Sequence, residues 1–434
     1  MKTAIINGNI CTPYGIKHNA VLIIEDEHIK EIQNSNSRSR VKADKVIDAK
    51  NNYVLPGFFD THCHGGGLFD TSSGKYILKN KKFSAKENDY ESGIFDALKI
   101  HAGFGTTSMF LTASAMPEMN MHNFTKYGGD YTKKHIPGST KLLGLDLEGV
   151  FLKNPKYAGA QSPEFFKKPD IKYFNKLTIL SNNTIKKVLV APEWGKAGYD
   201  LIKYLTKNKI VSCVGHSGAT YDEVMKAYDL GTKVVVHCGN GPMSQNFKGG
   251  GVIDALFYLQ DKVWAELICD YCHIHPRWLV SFIKNFRFNI IGITDAMFVV
   301  GFLEKIKEFK MGSKTGIVNN GVLKVKDSSN TLFGSCLTMD KAFENFLNLF
   351  ISNQWGYLVG NLFDKDLSFD KAIIEASKLL SCYPAQVYGF DKSIGSIEPD
   401  KSADIVIMNI KKDKKYICKI KTVIINGFQI MLEG

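Results

Sequence analysis

The sequence predicts an α/β fold, namely a (β/α)8 barrel of the TIM type with a small β-sandwich domain formed from both chain ends. Eight short apolar runs alternate with helical segments in the middle of the chain, as expected for parallel strands buried on both faces. Both chain ends instead carry short strand-like segments separated by turns. With 434 residues, 44% of them hydrophobic, the chain can bury a large core.

The two chain ends predict one separate domain. Residues 1–55 and 391–434 contain short β-branched segments between Asn, Gly and charged turns. Because chain termini often lie close together, we expect these two segments to form one small β-sandwich. Residues 56–390 would then form an inserted barrel domain.

The eight predicted barrel strands can be assigned in order. They are Gly57–Asp60, Thr107–Leu111, Leu142–Leu147, Lys187–Val190, Ile210–Val214, Val234–Val236, Ala265–Ile268 and Asn289–Ile293. In such barrels the chemistry lies at the C-terminal ends of the strands. The residues that follow each run therefore indicate the function.

Potential metal ligands and acids follow six of these runs. In chain order they are His62 with His64, Glu148, His216, His237, Asp270 with His273, and Asp295. One histidine at a strand end is commonly a core or loop residue. So many at one end of a barrel indicate a site.

A catalytic metal is the first interpretation of this cluster. His216 and His237 follow adjacent strands, and with Glu148 they make a His2Glu set that leaves a coordination position open, as in catalytic zinc sites. Such a metal lowers the pKa of a bound water towards neutrality. His62 and His64 share one side of an extended chain, which fits either a second ion or a hydrogen-bonded loop.

Asp295 follows an apolar strand, where an unpaired carboxylate would be costly. Near an activated water it can act as general base and then as general acid towards a leaving nitrogen. The alternative is a structural salt bridge.

The net charge and its distribution along the chain limit the classes of molecule that the protein is expected to bind. The net charge is +12, but the lysines are spread along the chain, which is typical of a solvated surface and not of a nucleic-acid site. A positive field would still favour a small anionic substrate.

The cytoplasm is the expected location. The start lacks the apolar run of a signal peptide, no stretch is long and apolar enough for a membrane span, and nine cysteines show no disulfide-like spacing. Cys269 and Cys272 form a CxxC pair, which fits either two small buried residues or a redox or metal role.

The motifs resemble those of the N-acetylglucosamine-6-phosphate deacetylase family, a branch of the amidohydrolase superfamily. They are PGFFDTHCHGGG, LDLEGVFL, GHSGATYDE, HCGNGPMS, ELICDYCHIHP, GITDAM, LFGSCLTMDKA and SIEPDKSADIVI, and they run along nearly the whole chain. The resemblance implies a zinc-dependent deacetylation of a phosphorylated amino sugar in amino-sugar catabolism. It also implies roles for residues already singled out: Glu148, His216 and His237 as metal ligands, Asp295 as acid/base, and His273 as a substrate contact.

The resemblance further implies a sugar pocket. Its predicted lining residues are Ala160, Asn240, Leu332, Phe333 and Gly334. Several positions depart from the family pattern, among them Val150, which stands where a proline is usual. Gln161 replaces a usual histidine, and Gly241 lies in a segment that usually reads NAM. Lys248 stands where the family often has a phosphate-binding arginine that reaches a neighbouring subunit, so a homodimer is implied, but the bidentate contact of arginine is lost.

Three alternatives remain open. One is a deacetylase for the N-acetylgalactosamine-6-phosphate epimer. Another is a cyclic-amide hydrolase, which commonly uses a carboxylated lysine at the end of strand four, where this chain reads Ala191-Pro192-Glu193. The last is a catalytically silent barrel that binds sugar or RNA.

Overall fold

A computed structural model describes most of the chain. The described residues are 1–34, 42–241, 243–286, 289–319, 321–326, 328, 331–351 and 367–431.

The strands of the described residues are numbered here in chain order. They are β1 Lys2–Thr12, β2 Gly15–Glu25, β3 His28–Gln33, β4 Lys45–Asp48, β5 Tyr53–Pro56, β6 Phe58–Asp60, β7 Gly65–Gly66, β8 Phe69–Asp70, β9 Gly74–Ile77, β10 Lys82–Ser84, β11 Thr106–Ala113, β12 Lys141–Phe151, β13 Ile185–Val190, β14 Val211–Val214, β15 Val234–Val235, β16 Trp264–Ile268, β17 Ile290–Ile293, β18 Glu308–Met311, β19 Lys314–Asn319, β20 Val322–Val325, β21 Ile405–Lys412, β22 Tyr416–Ile425 and β23 Phe428–Gln429.

The α-helices of the same residues are numbered likewise. They are α1 Glu87–Gly103, α2 Glu118–Tyr131, α3 Ile171–Leu180, α4 Lys196–Lys207, α5 Tyr221–Asp229, α6 Val252–Leu259, α7 Pro276–Asn285, α8 Met339–Ile351, α9 Phe369–Ser377 and α10 Tyr383–Val387. None of these helices is long and apolar enough to cross a membrane.

The predicted barrel is confirmed. Strands β6 and β11 to β17 form one parallel sheet in sequence order, with helices between most successive strands. The last and first strands meet just beyond their ends through a parallel bridge between Cys63 and Ala296. There the amide of Asp295 donates to the carbonyl oxygen of His62 at 2.9 Å, so closure of the barrel brings two site segments together.

The β domain contains strands from both chain ends, as predicted. Strands β1 to β5 and β21 to β23 form one continuous mixed sheet in the order β23-β22-β21-β5-β1-β2-β3, with β4 paired to β1. The antiparallel pairing of β5 with β21 joins the two chain ends.

Two small antiparallel sheets had no counterpart in the sequence prediction. One comprises β7 to β10, after barrel strand one, and the other comprises β18 to β20, after barrel strand eight. Both follow strands at the C-terminal end of the barrel, so they extend the walls around any site at that end.

Helix α8 joins the barrel to the β domain. Its buried side chains include Phe343, whose ring stacks on Phe58 of β6 at 5.8 Å between centroids. At the other side, Glu344 accepts a hydrogen bond from the amide of Cys418 in β22 at 2.8 Å.

A second connection is the ammonium of Lys141 at the start of β12. It contacts Asp404 at 2.5 Å and Asn426 at 2.9 Å, both near β21 and β22. The side chains of Lys141 and Asp404 are only 13% and 3% exposed, so the pair is largely screened from water.

We expect Lys141→Met to destabilise the protein by about 3 kcal/mol, because Asp404 would keep a buried and unpaired charge. Urea denaturation followed by circular dichroism would measure the change. The control is Lys134→Met, since Lys134 pairs with Glu91 on the surface at 48% and 44% exposure and should cost no more than about 1 kcal/mol. Equal effects of the two substitutions would contradict the assignment.

Candidate active site

The predicted site residues converge at the C-terminal end of the barrel. Glu148 lies within β12, whereas His216, His237 and Asp295 each lie two residues beyond the last residue of their strand. These three residues have positive φ angles of 45°, 28° and 53°. Residues other than glycine rarely adopt this backbone conformation, so the surrounding structure must hold these three residues in it.

The first ligand group is Glu148, His216 and His237. The Oε1 atom of Glu148 lies 3.2 Å from Nε2 of His216 and 2.7 Å from Nε2 of His237. The Nδ1 atoms of the two rings face the backbone carbonyl oxygens of Tyr157 and Asn240 at 3.0 and 3.2 Å. A ring that donates from Nδ1 presents the lone pair of Nε2, so these three residues could hold one metal ion.

The second group is His62, His64 and Glu148. Nε2 of His64 lies 3.5 Å from Oε2 of Glu148 and 3.1 Å from Oδ1 of Asp295. Nε2 of His62 lies 3.6 Å from Glu148 and 3.5 Å from Asp295, is buried, and has no hydrogen-bond partner among the described residues. A buried nitrogen without a partner is costly, and a cation between these groups would satisfy it.

The electrostatics of the site keep both carboxylates ionised. Burial would raise the pKa of Glu148, but its contacts with the neighbouring His216 and His237 outweigh burial and hold the pKa well below its usual value. Burial likewise opposes ionisation of Asp295, yet the hydrogen bond with His64 and the charges of the histidines hold its pKa at about 2. The site therefore presents two anionic groups to a cation.

Gln161 occupies the position where the family pattern has a histidine. Its Nε2 atom donates to Oε2 of Glu148 at 2.6 Å, and its Oε1 atom accepts from the amide of Ala115 at 2.7 Å. The amide side chain therefore positions Glu148 and does not itself offer a charged group.

A glycine is required at position 241 because the backbone there lies close to the rings of two metal-ligand candidates. A Cβ atom there would lie 2.8 Å from Cε1 of His216 and 3.0 Å from Cε1 of His237, and its φ angle is 59°. A glycine at this position lets the loop cover both rings.

A fully buried network lies beneath His62, and sequence reasoning missed it. Lys187, within β13, contacts Glu266 at 2.6 Å and Asp146 at 3.1 Å. The other oxygen of Glu266 lies 3.1 Å from Nδ1 of His62. Burial lowers the pKa of Lys187, but the charges of Asp146 and Glu266 outweigh it and raise the pKa, so the lysine is a cation. Its charge helps to lower the pKa of Glu266, whereas burial still raises the pKa of Asp146.

The only signal for this network was three charged residues inside predicted barrel strands. The sequence does not show which strand residues point into the barrel and which point towards the helices. The side chains of Lys187, Asp146 and Glu266 could therefore not be assigned to one layer of the barrel interior.

One large cavity of about 1510 Å³ opens above the metal ligands. Most residues predicted to line a sugar pocket do line it, namely Ala160, Gln161, Asn240, Gly241, His273, Leu332, Phe333 and Gly334. Lys248 does not line this cavity; it is exposed on the loop before α6. His273 is oriented by Asp270, whose Oδ2 lies 2.7 Å from Nδ1 of the ring.

The sheet of β18 to β20 is attached to the loop that carries Gln161. The ammonium of Lys314 donates to the carbonyl oxygens of Gly159 and Gln161 at 2.9 and 3.0 Å. This contact fixes the outer wall of the cavity relative to the metal ligands.

The two cysteines of the CxxC pair lie in different environments. Cys269 is buried and Cys272 is exposed, as expected for side chains on different faces of the chain. The pair is therefore not part of the ligand groups described above.

We expect Glu266→Gln to weaken metal binding by the His62 and His64 group by about 10- to 100-fold, the usual cost of removing the partner that orients a ligand histidine. Metal content and chelator competition would measure the change, with Glu344→Gln as the control for loss of a buried carboxylate outside the site. If Glu266→Gln binds metal like the unmodified protein, His62 does not depend on Glu266.

Comparison with known proteins finds amidohydrolases and amino-sugar-phosphate deacetylases. The amidohydrolase family matches residues 334–430. The N-acetylgalactosamine-6-phosphate deacetylase of Escherichia coli O157:H7 is 28% identical over 82% of this chain and 83% of its own length. The N-acetylglucosamine-6-phosphate deacetylase of Haemophilus influenzae is 25% identical over 94% of this chain and 95% of its own length.

Solved structures show the same fold. The N-acetylglucosamine-6-phosphate deacetylase from Pasteurella multocida superposes with a TM-score of 0.80 at 22% identity and covers 99% of both chains. That from Thermotoga maritima has a TM-score of 0.74 at 24% identity and also covers 99% of both chains. The resemblance seen in the sequence motifs is confirmed: one segment of the chain matches the amidohydrolase family, and the relatives named here are amino-sugar-phosphate deacetylases.

Proposed function

We propose that the chain deacetylates N-acetylglucosamine-6-phosphate, giving glucosamine-6-phosphate and acetate, as a step in amino-sugar catabolism. The observation that carries the proposal is the arrangement of Glu148, His216, His237 and Asp295 at the base of one large cavity. The names of the relatives support this class of substrate.

A divalent cation is the cofactor in this proposal, with zinc as the favoured metal and one or two ions bound. Two imidazole nitrogens and a carboxylate suit zinc, and Glu148, His216 and His237 would hold it. Such an ion supplies Lewis-acid activation of a carbonyl and lowers the pKa of water. His62 and His64 would help to hold a second ion.

The residues of the chain then handle the proton and the sugar. Asp295 is ionised and can accept the proton of the attacking water at Oδ1, then deliver it to the leaving nitrogen. His273, Ala160, Asn240 and the segment 332–334 would surround the sugar. In a homodimer, Lys248 would reach the phosphate of a substrate bound in the neighbouring subunit.

The galactosamine epimer is a second candidate substrate. The relative from Escherichia coli O157:H7, at 28% identity, carries that specificity in its name. A cyclic amide is disfavoured, because barrel strand four is followed by Ala191-Pro192-Glu193, without a lysine, and the ammonium of Lys187 within the strand contacts two carboxylates.

The cytoplasm is the proposed location. All nine cysteines are free, which is typical of a reducing compartment. The proposed partners are the sugar phosphate and a second copy of the chain, with no role for nucleic acid or membrane.

The first test measures acetate release from both N-acetylhexosamine 6-phosphates and from unphosphorylated N-acetylglucosamine, and in parallel the ring opening of dihydroorotate. We expect hydrolysis of a phosphorylated acetamide that is lost after chelation and restored by zinc. The epimer with the larger kcat/KM identifies the substrate. Hydrolysis of dihydroorotate alone would replace the proposal with a cyclic-amide hydrolase.

Asp295→Asn tests the proton-transfer role. We expect kcat to fall by about 10²- to 10⁴-fold, because an amide cannot accept the proton, while metal content at the Glu148 group is retained. Asp200→Asn, at a surface ion pair on α4, is the control and should leave kcat unchanged. Retained activity of Asp295→Asn would remove Asp295 from the mechanism.

A further inference from the structure

The outer wall of the cavity is formed in part by the sheet of β18 to β20. Val322 and Lys324 of β20 line the cavity, whereas Leu323 between them is fully buried in an apolar cluster that includes Phe298 and Phe309. Because side chains alternate along a strand, this pattern places Lys324 on the cavity face.

The lysines of this sheet differ in their partners. Lys326 pairs with Glu308 at 2.9 Å, and Lys314 donates to two backbone carbonyls. Within the described ranges, Lys324 makes no ion pair or side-chain hydrogen bond. Its ammonium is therefore available to a ligand in the cavity.

Lys324 lies close to the loop that carries His273. Burial raises the pKa of Cys272, the neighbour of His273, and the charge of Lys324 opposes that increase. A backbone bridge between Lys324 and Leu332 also places the lysine beside the segment 332–334. Lys324 thus adjoins two parts of the predicted substrate pocket.

The cavity outside the metal ligands is basic. Its described lining contains Lys81, Lys82, Lys310 and Lys324, against one carboxylate other than Glu148 and Asp295, that of Glu164. Glu164 lies near Lys314, where it opposes the lowering of the lysine pKa by burial. The other three lining lysines are exposed, whereas Lys324 is half-buried, so its field is the least screened by water.

We propose that Lys324, with His273, binds the phosphate of the substrate and so determines the preference for a phosphorylated sugar. This inference rests on the proposed function and names a specificity residue for it. An ammonium offers three donors and a full charge to phosphate oxygens. The phosphate site is then built at least partly within one chain, whereas Lys248 lies outside this cavity.

The test compares Lys324→Met, Lys324→Arg and the control Lys326→Met on the phosphorylated and unphosphorylated N-acetyl sugars. We expect Lys324→Met to raise KM for the phosphorylated sugar by at least about tenfold, with kcat nearly unchanged and no change for the unphosphorylated sugar. Lys324→Arg should retain most of the preference, since it keeps the charge. Lys326→Met should behave like the unmodified enzyme.

Calorimetric titration with glucosamine-6-phosphate gives a readout that does not depend on turnover. We expect Lys324→Met to weaken its binding by a similar factor without changing the binding of glucosamine. Unchanged affinity for glucosamine-6-phosphate, or an equal loss for both sugars, would overturn the role of Lys324. If the unmodified enzyme hydrolyses neither sugar but Lys324→Met still loses affinity for the phosphate, the proposed reaction fails and the phosphate site stands.

Discussion

The side chain of Glu148 is only 2% exposed, yet its carboxylate is ionised. Burying such a charge is costly unless charges and hydrogen bonds compensate, and here His62, His64, His216 and His237 approach it from several barrel strands. The remaining hydrogen bond comes from Gln161. The positions of these side chains, and of the strands that carry them, are therefore coupled through one group.

In the barrel interior below this carboxylate, buried charges are again partly compensated by neighbouring charged groups. Asp146 and Glu266 are fully buried, and both contact the ammonium of Lys187. An apolar interior of similar volume would be at least as stable in many proteins, so the network is better understood as a device for orientation. It presents one oxygen of Glu266 to His62 and leaves the opposite ring nitrogen facing Glu148 and Asp295.

Much of this could be predicted from the sequence. The eight apolar runs gave the barrel strands, because strands buried on both faces are nearly continuous in Val, Ile and Leu. Glu148, His216, His237 and Asp295 could be placed together because parallel strands deliver their C-terminal ends to one place. The wall that includes Lys324 could not be predicted, since short antiparallel strands such as Val322–Val325 lack a distinctive period. Nor could Lys187 be placed, because its partners Asp146 and Glu266 come from the neighbouring strand β12 and the distant strand β16, and the sequence does not show which side chains point into the barrel.

The bond from Lys314 to the loop at 159–161 makes the outer sheet and the metal ligands parts of one mechanical unit. Gln161 is held at its backbone by the sheet and at its side chain by Glu148. The outer sheet is thus connected through a single residue to the carboxylate at the centre of the site. A molecule that spans the cavity would therefore contact, at its two ends, parts of the chain that share one continuous hydrogen-bond network.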